Sequence, residues 1–454
     1  MNLNLNTDID KDIMDMTPGG ADSVNNAVVP EKKRTHIMVI GVGGGGGNAV
    51  KHMYRNGAID CVRYVACNTD SQALETSGIP IKLLLGPTVT RGGGAGNKPE
   101  VARLAAEESA EDIRALLQTE PKPQMVFITA GMGGGTGTGA APVVARIAKE
   151  LEILTVGIVT IPFIFEGAPK ISKAHDYIKK LREQVDALLV INNERLRDIY
   201  PDMTFLNAFA MADDILSTAA GSIIEIILKT GPVNCDFNDV KTTLSKGGTA
   251  IISTGTGRGE KRVSQAIENA VKSPLLQDSD IFSAKTLLQI VFLSPGESQM
   301  KLHETEQLND FATKFSGKPD TITGVYIDES LNDEVRVTIL AAGFKSNEEK
   351  EKEVEITEKK DHPKSDTNDS DDIIKLLYGE DRLRDMQRKR LQFAVLTRSE
   401  MENEALLEVF DNTPTYDRAP DFKQKLNEAG VVRNNEEQPV VTNENSIKTI
   451  NFGD

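Results

Sequence analysis

The chain contains no tryptophan and only three cysteines, Cys61, Cys67 and Cys235, with no Cys-x-x-Cys spacing. They read as free thiols in a reducing compartment, which excludes a disulfide framework or a cysteine metal site. No apolar run reaches the roughly 18 to 20 residues of a membrane span. The first thirty residues have no basic start leading into an apolar core, so no signal peptide is expected. Positive charge is also scarce. With 52 Lys and Arg against 68 Asp and Glu the net charge is −16, which argues against a nucleic-acid partner. These absences predict a cytoplasmic protein with no direct membrane insertion.

With 454 residues there is room for two or three domains. Residues 1–33 lack apolar periodicity and are expected to be disordered. Residues 34–204 alternate strand and helix patterns. The strands are Ile37-Met38-Val39-Ile40, Val62-Arg63-Tyr64-Val65-Ala66, residues 125–129 and 154–160, and Leu188-Leu189-Val190-Ile191. One helix is expected from Asn48 to Arg55. Another is expected over residues 100–117, with Val101, Leu104, Ala105, Ile113 and Leu116 on its apolar face. Near-continuous apolar strands between helices predict a Rossmann-like α/β fold, a parallel sheet covered on both faces. Residues 205–230 read as a long central helix, apolar on too many sides for the surface and so buried between two bodies. Residues 231–345 read as a second, α+β domain. Residues 346–372 form an acidic linker that cannot bury a core. Residues 373–454 form a tail whose start, to about Leu396, suits an amphipathic helix. A local partner helix is its first reading and a membrane surface its second.

The most informative stretch is Gly131-Met132-Gly133-Gly134-Gly135-Thr136-Gly137-Thr138-Gly139, with six glycines in nine residues between an apolar strand and a small-residue helix. This layout cradles phosphate, because the first N–H groups of a helix lack partners and glycine leaves the backbone accessible. Two companions are Gly41-Val42-Gly43-Gly44-Gly45-Gly46-Gly47-Asn48 and Gly92-Gly93-Gly94-Ala95-Gly96-Asn97. Three such runs at strand ends can surround a chain of phosphates. None ends in Gly-Lys-Ser or Gly-Lys-Thr, so no Walker lysine is supplied. Charge must be neutralised by backbone N–H groups, helix starts and a cation such as Mg²⁺.

The first run alone satisfies the dinucleotide fingerprint through Gly41, Gly43 and Gly46, which leaves an NAD-dependent oxidoreductase as an alternative. It fits poorly. The ribose-binding acid would be Asp70, which lies past the strand end, and none of the five histidines sits in a polar motif near a glycine run. Hydrolysis of a bound nucleotide needs a group that orients water at the terminal phosphate. Asn234-Cys235-Asp236-Phe237-Asn238-Asp239 is the candidate, with Asp236 and Asp239 near the first turn of a helix starting at Asn238. An ordinary N-cap is the competing reading of that spacing.

The 131–139 and 41–46 runs, Cys67-Asn68-Thr69-Asp70, Pro162-Phe163-Ile164-Phe165-Glu166-Gly167 and the 234–239 segment together resemble the tubulin/FtsZ family of GTPases. The resemblance covers about residues 36–344, and Ile191-Asn192-Asn193-Glu194-Arg195-Leu196 resembles its Bacteroidetes version. It implies a GTP-binding domain at 34–204, an activation domain at 231–345, GTP and GDP as ligands with Mg²⁺, and no metal held by protein residues alone. The implied nucleotide contacts are Gly43, Gly44, Gly45, Gly46, Gly47, Asn48, Asn68, Asp70, Gly94, Ala95, Gly96, Asn97, Gly131, Gly133, Gly134, Gly135, Thr136, Gly137, Thr138, Gly139, Pro162 and Lys170. Glu166 would bind the ribose, Asn193 and Asp213 the guanine edge, and Phe209 would stack on the ring. Asp236, Asp239 and Asn234 would act on the GTP of the next subunit in a filament. The resemblance further implies a cell-division role at mid-cell, self-assembly, and membrane-tethering and regulatory partners bound through the tail, at residues 413–418 or 446–452. Lys170 stands near the family's usual arginine, which suggests a weaker nucleotide contact. Gly93, where leucine is common, suggests a looser loop. A non-hydrolysing GTP-binding paralogue is the remaining alternative.

Overall fold

The computed structural model describes residues 36–245, 248–273, 281–295, 300–344 and 369–384. The N-terminal tail, most of the acidic linker and both candidate tail peptides lie outside these residues. Six strands, β1 (Ile37–Val42), β2 (Val62–Asn68), β3 (Ile81–Leu84), β4 (Met125–Gly131), β5 (Leu154–Ile161) and β6 (Ala187–Asn192), run parallel in the order β3-β2-β1-β4-β5-β6. β7 (Gly248–Gly257) continues the sheet, paired with β6 only through Ala187 with Gly248 and Leu188 with Thr249. β10 (Val335–Phe344) runs antiparallel between β7 and β8 (Thr286–Leu293), and β9 (Asp320–Ile327) closes the edge parallel to β8. The result is one mostly parallel sheet of ten strands.

The helices are α1 (Gly43–Arg55), α2 (Ser71–Glu75), α3 (Pro99–Glu108), α4 (Ala110–Gln118), α5 (Thr136–Glu150), α6 (Ala168–Gln184), α7 (Glu194–Ile199), α8 (Phe205–Leu228), α9 (Phe237–Ser245), α10 (Arg262–Val271), α11 (Thr305–Thr313) and α12 (Asp369–Tyr378). The unbroken apolar strands follow from burial on both faces. Ile37 and Val39 of β1 enter a core shared with α1 and α8, whereas Met38 and Ile40 enter one shared with α3, α5 and α6. The first core continues under α8 to Ile290 and Leu340 of the far strands, so α8 spans both halves of the sheet.

Four expectations change. The helix expected over 100–117 is two helices, broken at Ser109, whose hydroxyl accepts the Gly86 N–H from another segment. Leu104 is 50% exposed; Ala102, Ala105, Ala106, Ile113 and Leu117 make the buried face. The long helix is not buried throughout, since Phe205 and Leu206 at its start are 61% and 78% exposed. The linker expectation ends too late: residues 369–372 already belong to α12, whose Ile374 and Tyr378 are buried against the core under α6. The expected helix runs on to about Leu396, and its residues beyond 384 lie outside the described residues.

The lower end of α8 is fastened by Arg336 of β10. Its guanidinium donates to both Glu225 oxygens at 2.9 Å and to Asp328 at 2.7 Å, and lies 3.8 Å from the Phe292 ring centre. Burial alone would push Asp328 up, but Ser330, Arg336 and Lys229 hold it down to about 2. A depressed carboxylate stabilises the fold above its unfolded pKa, near 4, and that contribution is lost as pH falls toward 2. Replacing Arg336 by Leu leaves two half-buried carboxylates, Glu225 and Asp328, to share the single cation Lys229. Urea unfolding of Arg336→Leu should therefore show a loss of roughly 2 kcal/mol or more at pH 7, shrinking as the pH is lowered toward 3.

Candidate functional site

Strand order reverses between β1 and β4, and at that switch point the crevice at the carboxyl ends of parallel strands is the expected ligand position. The 41–48 and 131–139 runs leave these two adjacent strands. The first is not a loop before a helix. α1 starts at Gly43, five residues earlier than expected, and α5 starts at Thr136. Two helix N-termini therefore converge on one crevice, each offering unpartnered N–H groups and the positive end of its dipole.

Ligand access is the expected role of glycine in these runs, but most of the glycines serve packing. A Cβ on Gly46 would stand 2.1 Å from the Thr129 carbonyl oxygen, one on Gly137 2.7 Å from that of Gly131, and one on Gly139 1.9 Å from that of Pro99. Gly44, Gly47 and Gly134 are different: a Cβ at any of them would have nothing within 4 Å, so they present bare backbone to open space. A cavity of about 130 Å³ opens beside α1, lined among others by Gly44, Gly47, Asn48, Lys51, Asn68 and Ser77. Lys51 is not marked by any motif in the sequence. It lies one turn after Asn48 on α1, so both stand on one face of that helix.

The third run lies beyond β3. Gly94 N–H donates to Thr69 O at 3.0 Å, Ser71 N–H to Gly92 O at 3.1 Å, and Thr90 Oγ1 to Thr69 O at 3.2 Å. Asp70 pairs with Gly93 and caps α2 by accepting the Ala73 N–H. These bonds tie down a segment expected to be loose. Gly92, Gly94 and Gly96 all take positive φ, as does Asn97, whose carbonyl accepts Lys173 Nζ at 3.1 Å. Thr69 and Thr136 share a hydroxyl hydrogen bond of 2.7 Å, which locks the second and third runs together.

On the other flank, Glu166 accepts the Phe163 N–H at 2.9 Å and Lys170 Nζ at 3.1 Å. Lys170 thus pairs with the acid expected to bind ribose. Phe163, Phe165, Phe205 and Phe209 form an aromatic cluster at the start of α8. Asn193 is buried and its Oδ1 has no hydrogen-bond partner. Thr138 Oγ1 is a second buried, unpartnered atom. Buried polar atoms are rarely left so, and each fits a position where a ligand supplies the partner. Asp213 of α8 is bonded by Asn48, yet burial pushes its carboxyl up to about 7.

Asn234, Asp236 and Asp239 are not brought to this crevice. α8 meets Phe163 at Phe209 and Asn48 at Asp213, and from Asp213 it runs 15 more residues to Leu228, about 22 Å, before residues 229–233 lead to the acid segment. The acids form a reciprocal cap on α9, which starts at Phe237 rather than Asn238. Asp236 accepts the N–H groups of Asn238 and Asp239 at 2.8 and 2.9 Å, and Asp239 accepts that of Asp236 at 2.8 Å. The capping reading is therefore true in its own right, but Asp236 stays exposed. Buried Tyr326 pins the segment: its hydroxyl accepts the Cys235 N–H at 3.1 Å and lies 3.1 Å from the Ile226 and Cys235 carbonyls.

Residues 36–201 match the Tubulin/FtsZ family, GTPase domain, and residues 248–345 the FtsZ family, C-terminal domain. The chain is 46% identical over 400 residues to the cell division protein FtsZ of Porphyromonas gingivalis, covering 84% of this chain and 85% of that one. It is 44% identical over 316 residues to the cell division protein FtsZ of Pseudomonas aeruginosa, covering 69% and 78%. Among solved structures, an empty FtsZ dimer from M. jannaschii is similar, with a TM-score of 0.63 and 40% identity over 69% of this chain and 89% of that one.

The two classes of glycine should separate in experiment. Gly46→Ala meets a backbone oxygen and should lower unfolding stability by about 2–3 kcal/mol. Gly44→Ala should leave stability unchanged or raise it by up to about 1 kcal/mol, because alanine is the better helix former. It should instead weaken nucleotide binding, read by calorimetric titration.

Proposed function

The chain belongs to the tubulin/FtsZ family of GTPases, and from that premise we propose that one hydrolytic centre is built between two copies of it. It is a GTP-binding and GTP-hydrolysing cell-division protein that self-associates into filaments. Neither the oxidoreductase nor the non-hydrolysing alternative gains support from these matches. The observation that carries the two-copy reading is the length of α8, which separates the crevice from Asp236 and Asp239 of the same chain.

In this reading the phosphates of GTP lie on the N–H groups opening α1 and α5, against residues 94–97, with the Thr136 and Thr138 hydroxyls as donors. Gly44, Gly47 and Gly134 give the closest approach. Glu166, oriented by the Phe163 N–H and Lys170, takes the ribose. Phe209 stacks on guanine, whose edge supplies the missing partner of Asn193 Oδ1. Ionised Asp213 accepts guanine N–H donors. Asp236 and Asp239 of the next subunit orient the attacking water and hold its departing proton, with Asn234 beside them. Among the described residues no cluster of three His, Cys, Asp or Glu could hold a cation. Mg²⁺ in this reading is carried mainly by the phosphates, whose charge it neutralises. The protein works in the cytoplasm at mid-cell, and tail residues 413–418 or 446–452 bind tethering and regulatory division proteins.

Two outcomes follow. Asp236→Ala and Asp239→Ala should each cut phosphate release at least about a hundredfold while GTP affinity persists, as expected when a water-positioning group is lost. Wild-type turnover should rise steeply with protein concentration, in step with sedimentation; variants with normal turnover would overturn the acid role. The second outcome concerns pH. Asp213 ionises only as pH rises through about 7, so GDP affinity of the free protein should strengthen between pH 6 and 8. Asp213→Asn should flatten that slope.

A further inference from the structure

α12 returns to the body of the protein after the acidic segment and seats on α6. Ile374 is 1% and Tyr378 6% exposed, within the core that holds Met38 and Ile40 of β1, and Ile373, Leu377 and Leu383 pack at its margin. Two hydrogen bonds join it to the loops beside the crevice. Tyr378 Oη donates to Pro162 O at 2.6 Å, and Asn192 Nδ2 donates to Leu377 O at 2.8 Å. Pro162 precedes Phe163, whose N–H is held by Glu166, and Asn192 precedes Asn193. The same Asn192 accepts the Glu194 N–H through Oδ1 at 3.0 Å, and Glu194 accepts the Ile164 N–H at 3.0 Å. Tyr378 and Leu377 therefore close a ring of hydrogen bonds through both the 162–166 and the 192–194 loops.

We propose that Tyr378 is a positioning residue for GTP, acting through Pro162 and Asn192 to hold the loops that carry Glu166 and Asn193. The inference rests on the nucleotide reading of the crevice and adds a cis element that lies outside both matched domains. Burial, and then the charges of Glu194 and Glu166, push the Tyr378 phenol up, so it stays a neutral donor. The relative from Porphyromonas gingivalis is consistent with this. A continuous alignment over 84% of 454 residues cannot end before about residue 381, even if it starts at residue 1, so it takes in α12.

The test uses the full chain, a fluorescent GDP analogue and steady-state GTP hydrolysis. Tyr378→Phe removes one hydroxyl and leaves the Pro162 carbonyl unpaired. It should weaken nucleotide affinity and raise KM about five- to tenfold, with kcat at saturating GTP nearly unchanged and the melting temperature of nucleotide-free protein lowered by no more than a few degrees. Ile374→Glu, which undocks the helix, should weaken affinity at least as much. Wild-type affinity in both variants would overturn the proposal, as would a lowered melting temperature with affinity unchanged, the mark of packing alone. If the wild-type chain itself failed to bind guanine nucleotide, the reading of the crevice would fall rather than the role of this helix.

Discussion

Backbone meets backbone at the carboxyl edge of the sheet, and the rest of the molecule is arranged around that approach. Gly41 against Gly46, Gly46 against Thr129, Gly137 against Gly131 and Gly139 against Pro99 leave no room for a Cβ. With these contacts α1 and α5 can begin directly against β1 and β4, so both helix starts face one crevice. Within the 41–48 and 131–139 runs a Cβ would meet nothing only at Gly44, Gly47 and Gly134. Close packing and open backbone are thus divided among neighbouring glycines of the same run.

The second organising element is α8. It is one face of the crevice at its start, part of the shared core through its middle, and the support for the acid segment at its end. Its ends are fixed by different chemistry. An aromatic cluster and Asp213 sit at the start, and the Arg336 ion-pair cluster with the buried hydroxyl of Tyr326 at the finish. A rigid helix of this length keeps the two functional regions apart as firmly as it joins them.

Much of this is legible in the sequence. Strands buried on both faces give unbroken apolar runs, and two of the three glycine runs do leave adjacent parallel strands at the switch point, where a phosphate site is expected. What escapes depends on tertiary contact. The start of α1 is hidden because glycine is a poor helix former, and packing overrides that propensity here. The break at Ser109 rests on a hydrogen bond to distant Gly86. α12 reads partly as linker because its first four residues, Asp369 to Asp372, are all polar, and the apolar anchors Ile373, Ile374, Leu377 and Tyr378 come only after them. Lys170 reads as a nucleotide contact, and its ion pair with Glu166, four residues earlier, emerges only once both lie on the same turn of chain.

The reciprocal cap on α9 has a consequence beyond helix stability. A free aspartate at a surface samples several rotamers, and freezing it on contact with a partner carries an entropic cost. Asp236 and Asp239 are already held by the N–H groups of their own helix, each through one oxygen, and the segment before them is pinned by Tyr326. In the proposed two-copy centre a neighbouring molecule would therefore meet a rigid pair of carboxylates, shaped before the encounter, and conformational search would contribute little to the rate at which contact becomes chemistry.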